Sequence, residues 1–136
     1  MSYEILDHTA DIGLKSRSDS LSEVFCDCAR GMFSLLVAGT IENQQKILVS
    51  IQADSAEELL HDWLSELNYL FLVKQNVFQD FSIVNMDESK LEAVCFGEKY
   101  DGSRHSCDME IKAVTYHQIQ VQKSQDCWIA QVFFDL

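Results

Sequence analysis

Ser20–Leu36 reads SLSEVFCDCARGMFSLL and Ser55–Phe71 reads SAEELLHDWLSELNYLF, and these two stretches decide the fold class. In the first, Leu21, Val24, Phe25, Cys28, Ala29, Met32, Phe33 and Leu36 recur at the spacing of one helical face. Ser20, followed three residues later by Glu23, forms a capping box at the start. Gly39 stands just past the end, where glycine suits a helix stop. In the second, Ala56, Leu59, Leu60, Trp63, Leu64, Leu67, Leu70 and Phe71 make another unbroken apolar stripe, and Ser55 with Glu58 repeats the capping box.

Outward from these helices the chain reads as strands. Ile47, Val49, Ile51 and Ala53 alternate with Lys46, Ser50 and Gln52. Ile119 and Val121 alternate with glutamines, and Trp128, Ala130, Val132 and Phe134 alternate with Ile129, Gln131, Phe133 and Asp135. Weaker strand patterns run over 3–6, 12–18, 78–86, 91–100 and 109–115. Alternation of this kind predicts mostly antiparallel sheet with helices on one face, hence an α+β fold. Strand followed by capped helix occurs twice, at Ile12–Leu36 and at Ile47–Lys74. Two packed copies of a strand-helix-strand-strand unit explain this, and so do two independent capped helices on one sheet. A length of 136 residues with 47% apolar residues suits one domain over 1–136.

Charge narrows the function classes. Ten Lys and Arg face 22 Asp and Glu, for a formal net charge of −12. A phosphate-backbone binder needs clustered cations, so direct nucleic-acid binding and attraction to anionic membranes are not expected, whereas a basic protein or a cation is. The five cysteines, Cys26, Cys28, Cys95, Cys107 and Cys127, are odd in number, and no secretory pattern opens the chain. Free thiols in a reducing cytoplasm are expected. Cys28 falls on the first helix's apolar stripe and Cys26 falls off it, so the pair does not read as a metal site. His105 and Cys107 match no standard zinc spacing.

Three segments could carry chemistry. Asp7-His8-Thr9-Ala10-Asp11 places two carboxylates and an imidazole between two candidate strands. Carboxylate oxygens there suit Mg²⁺, Ca²⁺ or Mn²⁺, while by spacing alone a turn in which Asp7 accepts from backbone amides is the simpler reading. The closing Phe133-Phe134-Asp135-Leu136 puts Asp135 beside the Leu136 carboxyl group; if this edge lies near Asp11, several hard oxygen ligands converge. In Glu110–His117, Lys112 sits among apolar strand residues, opposite Ile111 and Ala113, either solvated or paired with an acidic cluster.

Taken together, these three segments and the first helix, with Ala29, Met32 and Phe33, resemble the archease family over essentially the whole chain. The resemblance implies nested strand-helix-strand-strand modules. It implies a non-catalytic partner of the GTP-dependent RNA ligase that joins a 2′,3′-cyclic phosphate or 3′-phosphate end to a 5′-hydroxyl in tRNA splicing and RNA repair. Such a partner speeds guanylylation of the ligase histidine and sustains multiple turnover. The family pattern assigns a divalent cation to Asp11, Asp135 and Leu136, and a part in ligase activation to Lys112, with His8 and Asp7 as secondary candidates. The stretch 98–108 matches no family pattern and contributes no functional residue. Two other readings stand beside this one: a small metal-dependent phosphoester hydrolase using Asp11, His8 and Asp135, and a general chaperone or interaction module.

Overall fold

The structure, a computed structural model, describes residues 2–7 and 11–136. The strands are β1 (Ser2–Asp7), β2 (Asp11–Ser18), β3 (Val37–Ala38), β4 (Gln45–Gln52), β5 (Asn76–Met86), β6 (Lys90–Lys99), β7 (Ser106–Cys107), β8 (Ala113–Val114), β9 (Gln120–Ser124) and β10 (Cys127–Asp135). The helices are α1 (Leu21–Leu36) and α2 (Ala56–Leu72). Both begin at the predicted caps. Ser20 Oγ accepts from Glu23 N at 3.1 Å, and Ser55 Oγ accepts from Glu58 N at 3.1 Å. These serines satisfy amides that the first helical turn leaves unpaired.

One sheet runs β1-β2-β10-β8, with β9 also paired to β10; a second runs β4-β6-β5; β3 and β7 form a short pair. Every pairing is antiparallel. The repeat expected from the pattern is real. The unit β4-α2-β5-β6 is uninterrupted in sequence and places its last strand in the middle of its sheet. The unit β2-α1-β9-β10 also places its last strand in the middle, with β10 between β2 and β9, but it is interrupted in sequence: the first unit is inserted between its α1 and β9. This is an α+β fold of nested strand-helix-strand-strand modules.

The helices lie between the two large sheets. α1 packs on β1, β2 and β10 from one side and on β5 from the other; α2 touches β4 and β5 as well as β8 and β9. Leu14, Val24, Phe25, Met32, Leu36, Leu59, Trp63, Leu64 and Leu67 are buried in this middle layer. Trp63 Nε1 donates to the Phe25 carbonyl at 3.1 Å, so the largest core side chain also satisfies its only polar atom. Among the described residues no helix is long and apolar enough to cross a membrane.

Four details differ from the sequence reading. Cys26 is buried along with Cys28, because α1 is covered from two sides; the Cys26 thiol donates to the Phe81 carbonyl at 3.6 Å. Gly39 does not stop α1, which passes straight into β3 with the Val37 amide bonded to the Phe33 carbonyl. Instead Gly39, at φ 108°, lets the chain pass Arg104, whose carbonyl oxygen would lie 2.3 Å from an added Cβ. Residues 109–115 form strand only at Ala113–Val114, so Lys112 lies in irregular chain. Phe133 is buried although it lies on the face opposite Phe134.

The stretch 98–108 is a structural clasp. Glu98, buried at 4% exposure, accepts from both terminal nitrogens of Arg104 and from the Glu42 amide. His105 Nδ1 accepts from the Asp101 amide at 3.0 Å, which leaves Nε2–H to face the Thr40 carbonyl and Glu98, each at 3.1 Å. The His105 ring is thus committed to holding the chain next to β3, and no cluster of three or more His, Cys, Asp or Glu suited to a metal occurs among the described residues.

Candidate metal-binding edge at the ends of β2 and β10

β2 and β10 pair in register from Ser18–Trp128 to Asp11–Asp135. Ile12 and its partner Phe134 are both buried toward the helices. Strand alternation therefore turns Asp11 and Asp135 to the opposite face, side by side. Directly opposed residues on antiparallel strands hold their Cβ atoms about 4.5–5.5 Å apart, and like charges there are destabilising unless something neutralises them. Among the described residues neither carboxylate has an ion-pair partner within 4.0 Å. Asp135 is exposed and Asp11 partly so, which leaves hard oxygen donors facing water at a strand end.

The edge is tied to its surroundings by hydrogen bonds and packing. Lys112 N donates to the Asp135 carbonyl at 2.8 Å, and Thr115 bonds the Phe133 carbonyl through both its amide (3.0 Å) and its hydroxyl (2.9 Å). The strap 111–115 is tied in turn to α2, where Asn68 Nδ2 donates to the Ile111 carbonyl at 2.9 Å. On the same face as Asp11 and Asp135, the Phe133 ring crosses its partner Gly13. A Cβ at Gly13 would meet Phe133 Cε2 at 2.7 Å. His117 meets the same ring edge-on, with centroids 6.0 Å apart. A glycine inside an alternating strand was the one signal in sequence for this close approach.

The site residues expected from sequence are thus placed as follows. Asp11 and Asp135 are neighbours, Leu136 continues from Asp135 and is 37% exposed, and Lys112 is exposed next to them through its backbone bond to Asp135. The Asp7 backbone pairs with Ile12. His8, and with it the hydrolase grouping of Asp11, His8 and Asp135, lies outside the described residues, as does the side chain of Asp7. The opposed carboxylates of Asp11 and Asp135, with no ion-pair partner among the described residues, would suit oxygen-preferring Mg²⁺, Ca²⁺ or Mn²⁺.

The Archease protein family model matches residues 3–136. The chain belongs to the archease family. A curated archease of Methanosarcina acetivorans is 40% identical over 98% of this chain and 95% of its own length. The archease of Methanopyrus kandleri is 30% identical, with each chain covered completely. Protein 1598 of Methanobacterium thermoautotrophicum superposes with a TM-score of 0.78 at 28% identity, covering 98% of both chains. The crystal structure of a Thermotoga maritima protein described as an archease and possible chaperone gives a TM-score of 0.64, covering 96% of this chain and 94% of that one. At 20% identity it supports the shared archease fold alone.

Proposed function

We propose that this archease-family chain is a cytoplasmic, non-catalytic activator of the GTP-dependent RNA ligase that joins cyclic-phosphate or 3′-phosphate ends to 5′-hydroxyl ends. It promotes guanylylation of the ligase and its repeated turnover in tRNA splicing and RNA repair. The observation that carries this reading is the opposition of Asp11 and Asp135 at one exposed edge of a family member. Asp11, Asp135 and the Leu136 carboxyl end would hold a divalent cation there, and such a cation supplies the positive charge that triphosphate chemistry requires. Lys112, whose amide bonds the Asp135 carbonyl and which is exposed beside this edge, would meet the ligase. With a net charge of −12, the chain reaches RNA through the ligase and not by gripping it.

The test is the rate of covalent guanylate formation on the cognate ligase, with GTP and Mg²⁺ or Mn²⁺, with and without the purified chain. A rise with the wild type and none with Asp11→Ala is expected. An unchanged rate with the wild type sinks the activator reading. Phosphoester turnover by the chain alone, lost in Asp11→Ala, would establish the hydrolase instead. Full stimulation by Asp11→Ala, with loss only on broad charge reversal, would establish a general chaperone.

A further inference from the structure

Beside the proposed cation edge, α2 and the strap 111–116 enclose a groove of about 380 Å³ lined by His61, Ser65, Asn68, Leu72, Lys112 and Val114. Its lips are apolar and open. Tyr69 is 45% exposed, Leu72 43% and Val73 59%. Tyr116, 55% exposed, stacks on His61 with centroids 4.0 Å apart. Exposed aromatic and aliphatic side chains gathered around one concavity are the usual form of a protein-binding patch. In the wall of this groove the Asn68 amide is buried at 6% exposure. Its nitrogen bonds Ile111, while its Oδ1 has no donor among the described residues. Across the α2 ridge formed by Ser65 and Tyr69 runs a second groove of about 490 Å³, whose charged lining is Asp62 and Glu66.

We infer that this α2 groove is the docking surface for a segment of the ligase that carries an apolar side chain flanked by Lys or Arg. The inference rests on the proposed function and extends it from the cation to the partner. Three observations select the occupant. The apolar lips call for an apolar side chain. Asp62 and Glu66, lining the second groove across the ridge, call for cationic flanks, and repel the phosphates of RNA. Lys112 belongs both to the groove and, through its bond to the Asp135 carbonyl, to the proposed cation edge, so one partner covers both surfaces at once.

The experiment measures affinity for the purified cognate ligase, stimulation of guanylylation, and Tb³⁺ binding by the archease alone. Ser65→Arg and Leu72→Asp change exposed or half-exposed positions and leave the core intact. Each is expected to weaken ligase binding at least about tenfold with unchanged Tb³⁺ affinity. Asp62→Lys with Glu66→Lys is expected to act the same way, and to do so more strongly at low salt. Leu48→Asp, on the far face of the second sheet and 77% exposed, is expected to bind and stimulate as the wild type does. Groove variants that bind and stimulate normally, while Asp11→Ala abolishes stimulation, overturn the docking inference and leave the proposed function standing. A wild-type chain that neither binds nor stimulates the ligase overturns both. Groove variants that instead disrupt self-association, or RNA binding, assign the groove to another occupant and overturn the inference as well.

Discussion

Asp11 and Asp135 stand directly opposite one another on β2 and β10, the first residue of one strand against the last residue of the other. Their alternating neighbours Ile12 and Phe134 are buried against the helices, so the two carboxylates share the outer face. This opposition yields a prediction with a definite sign.

In the presence of a chelator, Asp11→Asn is expected to stabilise the fold by about 0.2–1 kcal/mol, because it removes a like-charge cross-strand pair. The same variant should lose most of its affinity for Mn²⁺ or Tb³⁺. Chemical unfolding in chelator and metal titration check the two halves. A destabilised variant with intact metal affinity would mean that the carboxylates are neutralised in some other way.

Gly13→Ala forces a methyl group against the Phe133 ring and, at 3.0 Å, the Val132 carbonyl. The ring must shift or the strands must part, at a cost of about 1–3 kcal/mol. Because Phe133 is two residues from Asp135 on the same face, cation affinity should fall together with stability. Urea unfolding and Tb³⁺ luminescence on the same sample test the linkage. A stability loss with wild-type affinity would show that the Phe133–Gly13 contact does not position the carboxylates.

Cysteine labelling should separate into two classes. Cys107 is exposed and Cys127 is half-buried, with Arg17 Nη1 3.2 Å from its sulfur. Cys26, Cys28 and Cys95 are buried. Burial pushes the Cys26 thiol up to about 11 and the Cys95 thiol up to about 12, and raises Cys28 as well. Mass spectrometry after alkylation is expected to find modification at Cys107 and Cys127 under native conditions, and at the other three only in denaturant.

Acid stability should depend on Glu98. The Arg104 side chain, with the Glu42 amide and His105, holds its carboxyl well below the ordinary carboxylate range, down to about 2. A folded-state value below the unfolded one means that the contribution is fully present above about pH 4.5 and is lost as pH falls toward about 2. Asp27 has the opposite sign. Burial raises its carboxyl against the Ser16 hydroxyl and Arg30, so mild acidification just above its ordinary value favours the folded state. Glu98→Gln is expected to lower stability at neutral pH and to flatten the acid limb of a urea-unfolding profile taken from neutral pH downward. An unchanged profile would show that the clasp contributes no net stability.

Much of this protein was legible in its residues. The caps at Ser20 and Ser55, the apolar stripes and the alternation of β4 and β10 are local patterns. Helix and strand each impose a period that one sequence displays without reference to the rest of the chain. The candidate residues Asp11, Asp135 and Lys112 could be named for the same reason, since residue type and local spacing are visible there and the family resemblance links the segments. What could not be read were the relations between elements: α1 covered on two sides, which buries Cys26; Phe133 buried by Gly13 and His117 on a face that alternation marks as outer; and Lys112 on an irregular strap held by Asn68. The α2 groove, and the convergence of Asp11 with Asp135, likewise belong to the folded chain. They depend on β10 inserting between β2 and β9, a long-range strand pairing that no local period encodes. Register in a sheet is set by burying one whole face at once.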